Sequence, residues 1–268
     1  LQVRSASFTE AQHLTTIYRY AAIAQQADWV LPLDADEFLD GRAAITDLRA
    51  TLEAAPAATL AMRVPLILYL SAAEDDAAEL IVPKRLTRRA VDSQNVSKII
   101  VRGGAAAPRI EIDPGSHGLK LDGQPCAIQA QGAFRLAHYP RRSAWQHIAK
   151  FLIGRLKAVA AGRAVLDANH ADHYAPLLAT MKERPHDLFY NRDFIEAINP
   201  GVQTVIDPIQ YSGTALRYTE RSDDRMKAVS VLAAYAEELA IQHARLIDEN
   251  SAVRALVHGW AGDIERLL

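Results

Sequence analysis

The chain has 268 residues, half of them apolar, enough to bury a sizeable core as one large domain or as a domain with a helical appendage. A net charge of −2 excludes a global pull toward nucleic acid or an anionic membrane, so any phosphate must be held by local basic groups. The only cysteine, Cys126, excludes an internal disulfide and a cysteine zinc cluster, and we expect a reducing, cytoplasmic setting, free or at the inner face of the membrane.

Leu1-Gln2-Val3-Arg4 carries neither an initiator methionine nor a signal-peptide pattern, as expected for a piece of a longer chain. Phe8 to Ala27 reads as a helix, with Leu14, Ile17, Tyr18, Ala21 and Ile23 on its apolar side, and leads into a strand from Trp29 to Leu33. Ile45 to Ala55 reads as a second helix, stopped near Pro56, and Ala58 to Leu70 as a strand. The strongest apolar run, Val64 to Leu70, is strand-sized and contains Pro65, far from membrane-spanning length. Residues 71 to 96, acidic and then basic, read as an exposed excursion. Short strand-like pieces follow at Ser97 to Arg102, Arg109 to Ile112, Ala127 to Gln131 and Ala133 to His138, with turns at Gly103-Gly104, Pro114-Gly115 and Asp122-Gly123. Ser143 is placed to cap a long helix reaching about Ala161. His170 to Glu183 is a further helix, Thr204 to Ile206 a short apolar piece, and Ser222 to the end almost wholly helical.

Three carboxylates, Asp34, Asp36 and Glu37, arrive within four positions of the apolar lead-in Trp29 to Leu33. Negative charge at the end of a buried strand is costly without a cation. On an extended backbone Asp34 and Asp36 point to one side and can share a divalent ion, while Glu37 points elsewhere. His138 follows the piece Phe134 to Ala137 and can sit at a strand end, either completing a metal shell or hydrogen-bonded at a helix entrance. Arg142 lies just before the helix capped by Ser143, where free amides favour an anion. Lys150, two turns on, is a weaker phosphate contact or part of a solvated face. Lys98 and Arg102 share a strand face and contact phosphate or acceptor, or pair with Glu111 or Asp113.

The run Trp29-Val30-Leu31-Pro32-Leu33-Asp34-Ala35-Asp36-Glu37-Phe38-Leu39 resembles the family 2-like glycosyltransferases with a GT-A fold. Ser97 to Arg102, Gly115-Ser116-His117, Leu136 to Ser143, Gln146 and Lys150 follow in the order of bacterial glycosyltransferase 2-like proteins, and the resemblance runs from about Phe8 to Lys157. It implies an α/β, GT-A-like mixed sheet, an incomplete Rossmann-type nucleotide-diphospho-sugar transferase, over residues 1–210. A helical region over 211–268 packs on it or reaches a partner or further domain. It also implies inverting transfer of a sugar from a nucleotide-sugar donor to a hydroxyl acceptor such as a glycan. Mn²⁺ or Mg²⁺ is then held by Asp34, Asp36 and His138, and Lys98, Arg102, Arg142 and Lys150 contact the donor.

Inverting transfer also needs a general base opposite the leaving nucleotide, and Asp113 and His117 are the candidates, with a turn-stabilising role open for Asp113. Only 33 residues precede Asp34, fewer than the two βα units that come before this motif in a GT-A domain. Three other readings compete. A phosphatase of the haloacid dehalogenase type would use Asp34 as nucleophile and Asp36 as acid/base, but Phe38 stands where Thr or Val is usual. An EF-hand would put Phe38 and Leu39 at loop positions that need a ligand and a glycine. A non-catalytic, transferase-like binding module would use the C-terminal helices as its interface.

Overall fold

The computed structural model of the chain describes residues 9–40, 45–72, 74–76, 78–92, 96–162, 166, 174–185, 202–210 and 224–267. It is a mixed α/β structure in two compact units: a sheet unit of Thr9–His147 with Ala179–Ser222, and a helical unit of Leu1–Phe8, Ile148–Leu178 and Asp223–Leu268. Phe8, His170 and Ser222, the expected ends of three helices, lie outside the described residues.

In the sheet unit, α1 (Glu10–Arg19) continues into one π-helical turn over Tyr20–Ala24. β1 (Trp29–Val30) and β2 (Glu37–Leu39) flank the acidic segment, and α2 (Ile45–Glu53) precedes β3 (Ala61–Leu70). After α3 (Val82–Arg85) come β4 (Arg88–Ala90), β5 (Ser97–Arg102), β6 (Ile110–Ile112), β7 (Leu119–Leu121), β8 (Gln124–Pro125) and β9 (Leu136–His138). α4 (Ala144–Ala160) starts in this unit and continues into the helical one; α5 is Ala175–Glu183 and β10 is Thr204–Ile206.

The main sheet runs β1-β5-β3-β4-β10, with β9 beside β3 and β2 beside β9; β6, β7 and β8 form a small second sheet. β3 is the spine. Its residues 61–65 pair antiparallel with β5, 66–68 parallel with β9, and Tyr69 and Leu70 antiparallel with β4. β3 and β5 are covered on both faces, which is why they read as nearly continuous apolar runs. On one face Ile99, Val101 and Ala61 pack with Tyr18 and Ala22 and with Ile110 of the small sheet. On the other, Met62, Val64, Ile100 and Leu136 pack with Leu48 and Leu52 of α2.

α1 is stitched to the strands by buried polar groups as well as by its apolar side. The Tyr18 hydroxyl donates to Arg102 O at 2.7 Å, the Ile112 N–H donates to Thr15 Oγ1 at 2.9 Å, and Arg19 Nη2 donates to Ile110 O at 2.9 Å. Burial pushes the Tyr18 phenol up to about 12, against the lowering charge of Arg19, so it remains a donor. The Asp122-Gly123 turn between β7 and β8 has positive φ at both residues, the geometry that matches strand twist in a two-residue hairpin.

Three expectations need correction. The Trp29 strand is two residues long, half-buried and at the end of the described sheet, because Pro32 has no N–H to extend a ladder. Residues 71 to 96 are not simply an excursion: Leu86 is fully buried and β4 pairs with both β3 and β10. Ala127 to Gln131 makes no strand, yet Gln129 bonds along β3, donating to Ala61 O and accepting from Arg63 N–H.

In the helical unit, Phe151 meets Tyr174 edge-on at 4.7 Å, and the same ring lies over Gly154. Ala158 is buried there, as are Ala228 and Tyr235 of α6 (Asp224–Leu267), a helix of 44 residues. Among the described residues no helix is long and apolar enough to cross a membrane.

Gly103 closes the step from helix to β1. Its N–H donates to Asp28 O at 2.8 Å, and a Cβ there would lie 2.0 Å from Ala27 O. Gly103→Ala is expected to destabilise the protein by about 1–3 kcal/mol through forced backbone movement. Gly132→Ala, where a Cβ meets nothing within 4 Å, should stay within about 0.5 kcal/mol of the parent. Urea unfolding of both variants checks the pair.

Candidate functional site

The register of β1 on β5 fixes where the acidic segment lies. Trp29 stands opposite Arg102 and Val30 opposite Val101, so the chain leaving β1 runs back along β5 toward Lys98. There it turns: Glu37 N–H donates to Asp34 O at 3.1 Å, and β2 begins at Glu37. β2 then pairs antiparallel with β9, setting Glu37 opposite His138, and Tyr139 N–H donates to Asp36 O at 2.8 Å. The backbone from Asp34 to Glu37 is therefore a turn, and the expected extended arrangement of Asp34 and Asp36 does not occur.

Lys98 lies at the centre of the turn. Its side chain is 3% exposed, with Nζ 2.7 Å from Asp34 Oδ2 and 3.2 Å from Glu37 Oε1. Glu37 points inward, against expectation, and its Oε2 also accepts the Asp34 N–H at 3.1 Å. Lys98 thus pairs with neither of the expected carboxylates, Glu111 or Asp113; it neutralises the acidic turn from beneath. Burial alone would lower the Lys98 pKa, but the hydrogen bond and charge of Asp34, with those of Glu37, hold it above the ordinary lysine value. Burial raises Glu37 above the usual carboxylate value, with Lys98 acting in the opposite sense.

Asp36 and His138 come from distant parts of the chain and meet, with Asp36 Oδ1 3.7 Å from His138 Nε2. Asp36 is almost fully buried, whereas the Asp34 side chain is 51% exposed. Two of the three expected metal ligands are thereby joined, and the carboxylate of the third is engaged by Lys98. Among the described residues no group of three or more His, Cys, Asp or Glu side chains is arranged to hold a metal ion.

The basic candidates separate. Arg102 lies over the Trp29 ring at 4.3 Å and donates to Thr59 O and Ala55 O at 2.8 and 3.0 Å, so its guanidinium serves backbone carbonyls. Arg142 precedes α4 as expected. Ser143 Oγ accepts from Gln146 N–H, and Gln146 Oε1 accepts from Arg142 N–H, which is a reciprocal cap. Arg85, which sequence reasoning missed, donates to Arg142 O at 3.0 Å. Arg141, also missed, is partly withdrawn from water, and burial pulls its pKa down. Lys150 is exposed on the part of α4 that belongs to the helical unit.

His117 Nδ1 lies 2.7 Å from Ser97 O; a carbonyl only accepts, so Nδ1 carries a proton, and in a neutral ring Nε2 carries the lone pair. Asp113 flanks the turn at Pro114–Ser116, with Lys120 Nζ at 4.0 Å from its carboxylate. A second ion-pair chain braces the far ends of β2 and β9. Arg135 Nε is 2.9 Å from the buried Asp40, and its Nη2 is 3.8 Å from Asp207, which Arg89 holds at 2.6 Å.

No family model matches the chain, and no curated protein or solved structure matches it.

Because the Glu37 pKa is higher folded than unfolded, the folded state holds the extra proton between the ordinary 4.5 and the raised value. Stability on its account falls as pH rises through that window, and charged Glu37 weakens the fold at neutral pH. Lys98 contributes stability below its ordinary 10.5 that is lost as pH rises through its raised value. Lys98→Met should therefore destabilise the protein by about 3–5 kcal/mol at pH 7, with the deficit narrowing at pH 5 as Glu37 takes a proton. Adding Glu37→Gln should recover most of it. Urea unfolding at both pH values decides: equal deficits at pH 5 and 7 would show that Lys98 does not compensate the Glu37 charge.

Proposed function

We propose that this chain carries the donor end of an inverting, metal-dependent glycosyltransferase of GT-A type, moving a sugar from a nucleotide-sugar to a hydroxyl acceptor such as a glycan. The observation that supports this best is the meeting of Asp36 and His138 at the turn that follows β1. A carboxylate oxygen and an imidazole nitrogen 3.7 Å apart are close to the separation of two ligands on one ion, roughly 3–3.5 Å for bonds of about 2.1 Å. Asp36 and His138 are the residues that would hold Mn²⁺ or Mg²⁺. When bound, the ion supplies Lewis-acid stabilisation of the departing diphosphate.

The chain's own groups fill the other roles. Lys98 fixes the turn and cancels part of its charge, so an anionic donor approaches a less repulsive surface. Arg141 and Arg142, just before the capped start of α4, would meet diphosphate oxygens beside helix amides. His117, with Nδ1–H fixed on Ser97 O, presents Nε2 as the proton acceptor and is a better general base than Asp113, which faces Lys120.

Phosphoryl transfer to Asp34 is a second reading, favoured by one observation. The Lys98 ammonium lies 2.7 Å from the half-exposed Asp34 carboxylate, a charge partner for a carboxylate nucleophile. The protein, incubated with a panel of nucleotide-sugars, Mn²⁺ or Mg²⁺ and glycan acceptors, is expected to release nucleoside diphosphate and form glycoside. Phosphate release without sugar transfer would favour the phosphatase, and neither activity would leave a binding module. Asp36→Asn keeps its shape and should weaken Mn²⁺ binding at least about 10-fold in titration calorimetry, with His138→Ala acting in the same direction to a smaller degree. Unchanged Mn²⁺ binding in both variants would remove the metal from this reading.

A further inference from the structure

In the second half of α6 the described side chains face water. Ala228, Leu232, Tyr235 and Leu239 are buried or half-buried in the helical unit, but every described side chain from His243 to Trp260 is exposed. That stretch includes Leu246, Ile247, Val253, Leu256, Val257 and Trp260, the last 66% exposed. A helix in water draws most of its stability from packing, and Gly259 and Gly262 weaken this one further.

Many of the apolar residues follow a heptad, with Ile247 and Leu256 flanking it at e and g. Leu232, Leu239, Leu246, Val253, Trp260 and Leu267 recur every seven residues and take the d position. The a position is then Val229, Ala236, His243, Asn250, Val257 and Ile264, and both glycines fall on the outer positions c and f. The first two d residues, Leu232 and Leu239, are half-buried in the helical unit, while Val229 and Ala236 at a are exposed; from His243 to Trp260 every described seam residue is exposed.

We propose that residues 243–267 form a parallel, in-register, two-stranded coiled coil with a second copy of this chain. The occupant is specified by self-complementarity. In a parallel pair Asn250 meets Asn250 of the partner subunit across an a layer, the placement by which a buried Asn selects two strands and one register. Glu249, at g, then faces Arg254 of the partner subunit, at e of the next heptad, and the symmetry makes the same ion pair twice. An antiparallel pair would set Asn250 against an apolar d side chain and separate these charges. A membrane surface fits poorly, since Arg245, Arg254 and Arg266 are outnumbered by Asp248, Glu249, Asp263 and Glu265.

The test is sedimentation equilibrium of the full chain, where a reversible dimer is expected. Val253→Glu with Trp260→Glu should raise its dissociation constant at least about 100-fold, equivalent to about 2.7 kcal/mol, while far-UV circular dichroism shows the rest of the protein folded. Glu249→Arg should weaken the dimer, and adding Arg254→Glu should restore it. Leu246→Cys in a Cys126→Ser background should cross-link within the dimer on oxidation, because only the parallel register brings the two copies of this position together. A monomer up to about 100 μM, or a dimer indifferent to Val253→Glu with Trp260→Glu, overturns the proposal. So does a dimer that fails to cross-link, which would point to an antiparallel pair or another surface.

Discussion

Lys98 is the charge around which the sheet unit is arranged. A buried ammonium is tolerated only when carboxylates meet it, and here two do, from a single four-residue turn. The requirement runs both ways, since Glu37 has no exposed surface through which water could stabilise it. Holding the turn on Lys98 fixes where β2 starts, and β2 in turn fixes the register of β9. The position of His138 beside Asp36 is thus tied to a lysine on β5, a strand that pairs with neither β2 nor β9.

Much of the fold was legible because β3 and β5 are covered on both faces and announce themselves as apolar runs. Ser143 was legible as a helix cap because a hydroxyl followed three residues later by Gln is a local signal. The acidic-then-basic stretch from residue 71 to 96 hid β4 because Arg89, which looks like a solvated charge, is neutralised by Asp207 from a distant segment. Local composition cannot report a partner so far away in sequence. The Trp29 strand was overextended because its apolar character outweighed Pro32 in the reading, whereas the ladder obeys the missing N–H.

The candidate site was legible in its residue types and less so in its geometry. Asp36 and His138 were singled out and they meet, but Asp34 was assigned to them on the premise of an extended backbone, and the chain turns there instead. One signal was available. Lys98 directly precedes the apolar run Ile99 to Val101 within β5, and a buried lysine in such a strand calls for a carboxylate nearby, for which Glu37 is the buried candidate. Arg102 shows the opposite error, because a basic residue at a strand end reads as an anion contact until its carbonyl partners and the Trp29 ring are seen.

The change of partner along β3 bears on the order in which the protein is assembled. Pairing Met62 with Ile100 closes a loop roughly half as long as pairing Leu66 with Leu136, so the β3–β5 ladder forms at a smaller loss of chain entropy. β9 and β2 contribute only three residues each and depend on that ladder for a surface to dock on. They join after that ladder, and in local opening they can leave before it. Asp36 and His138 therefore exist as a pair only in the fully closed protein, and a fluctuation that frees β2 and β9 dissolves the pair while most of the core stays intact.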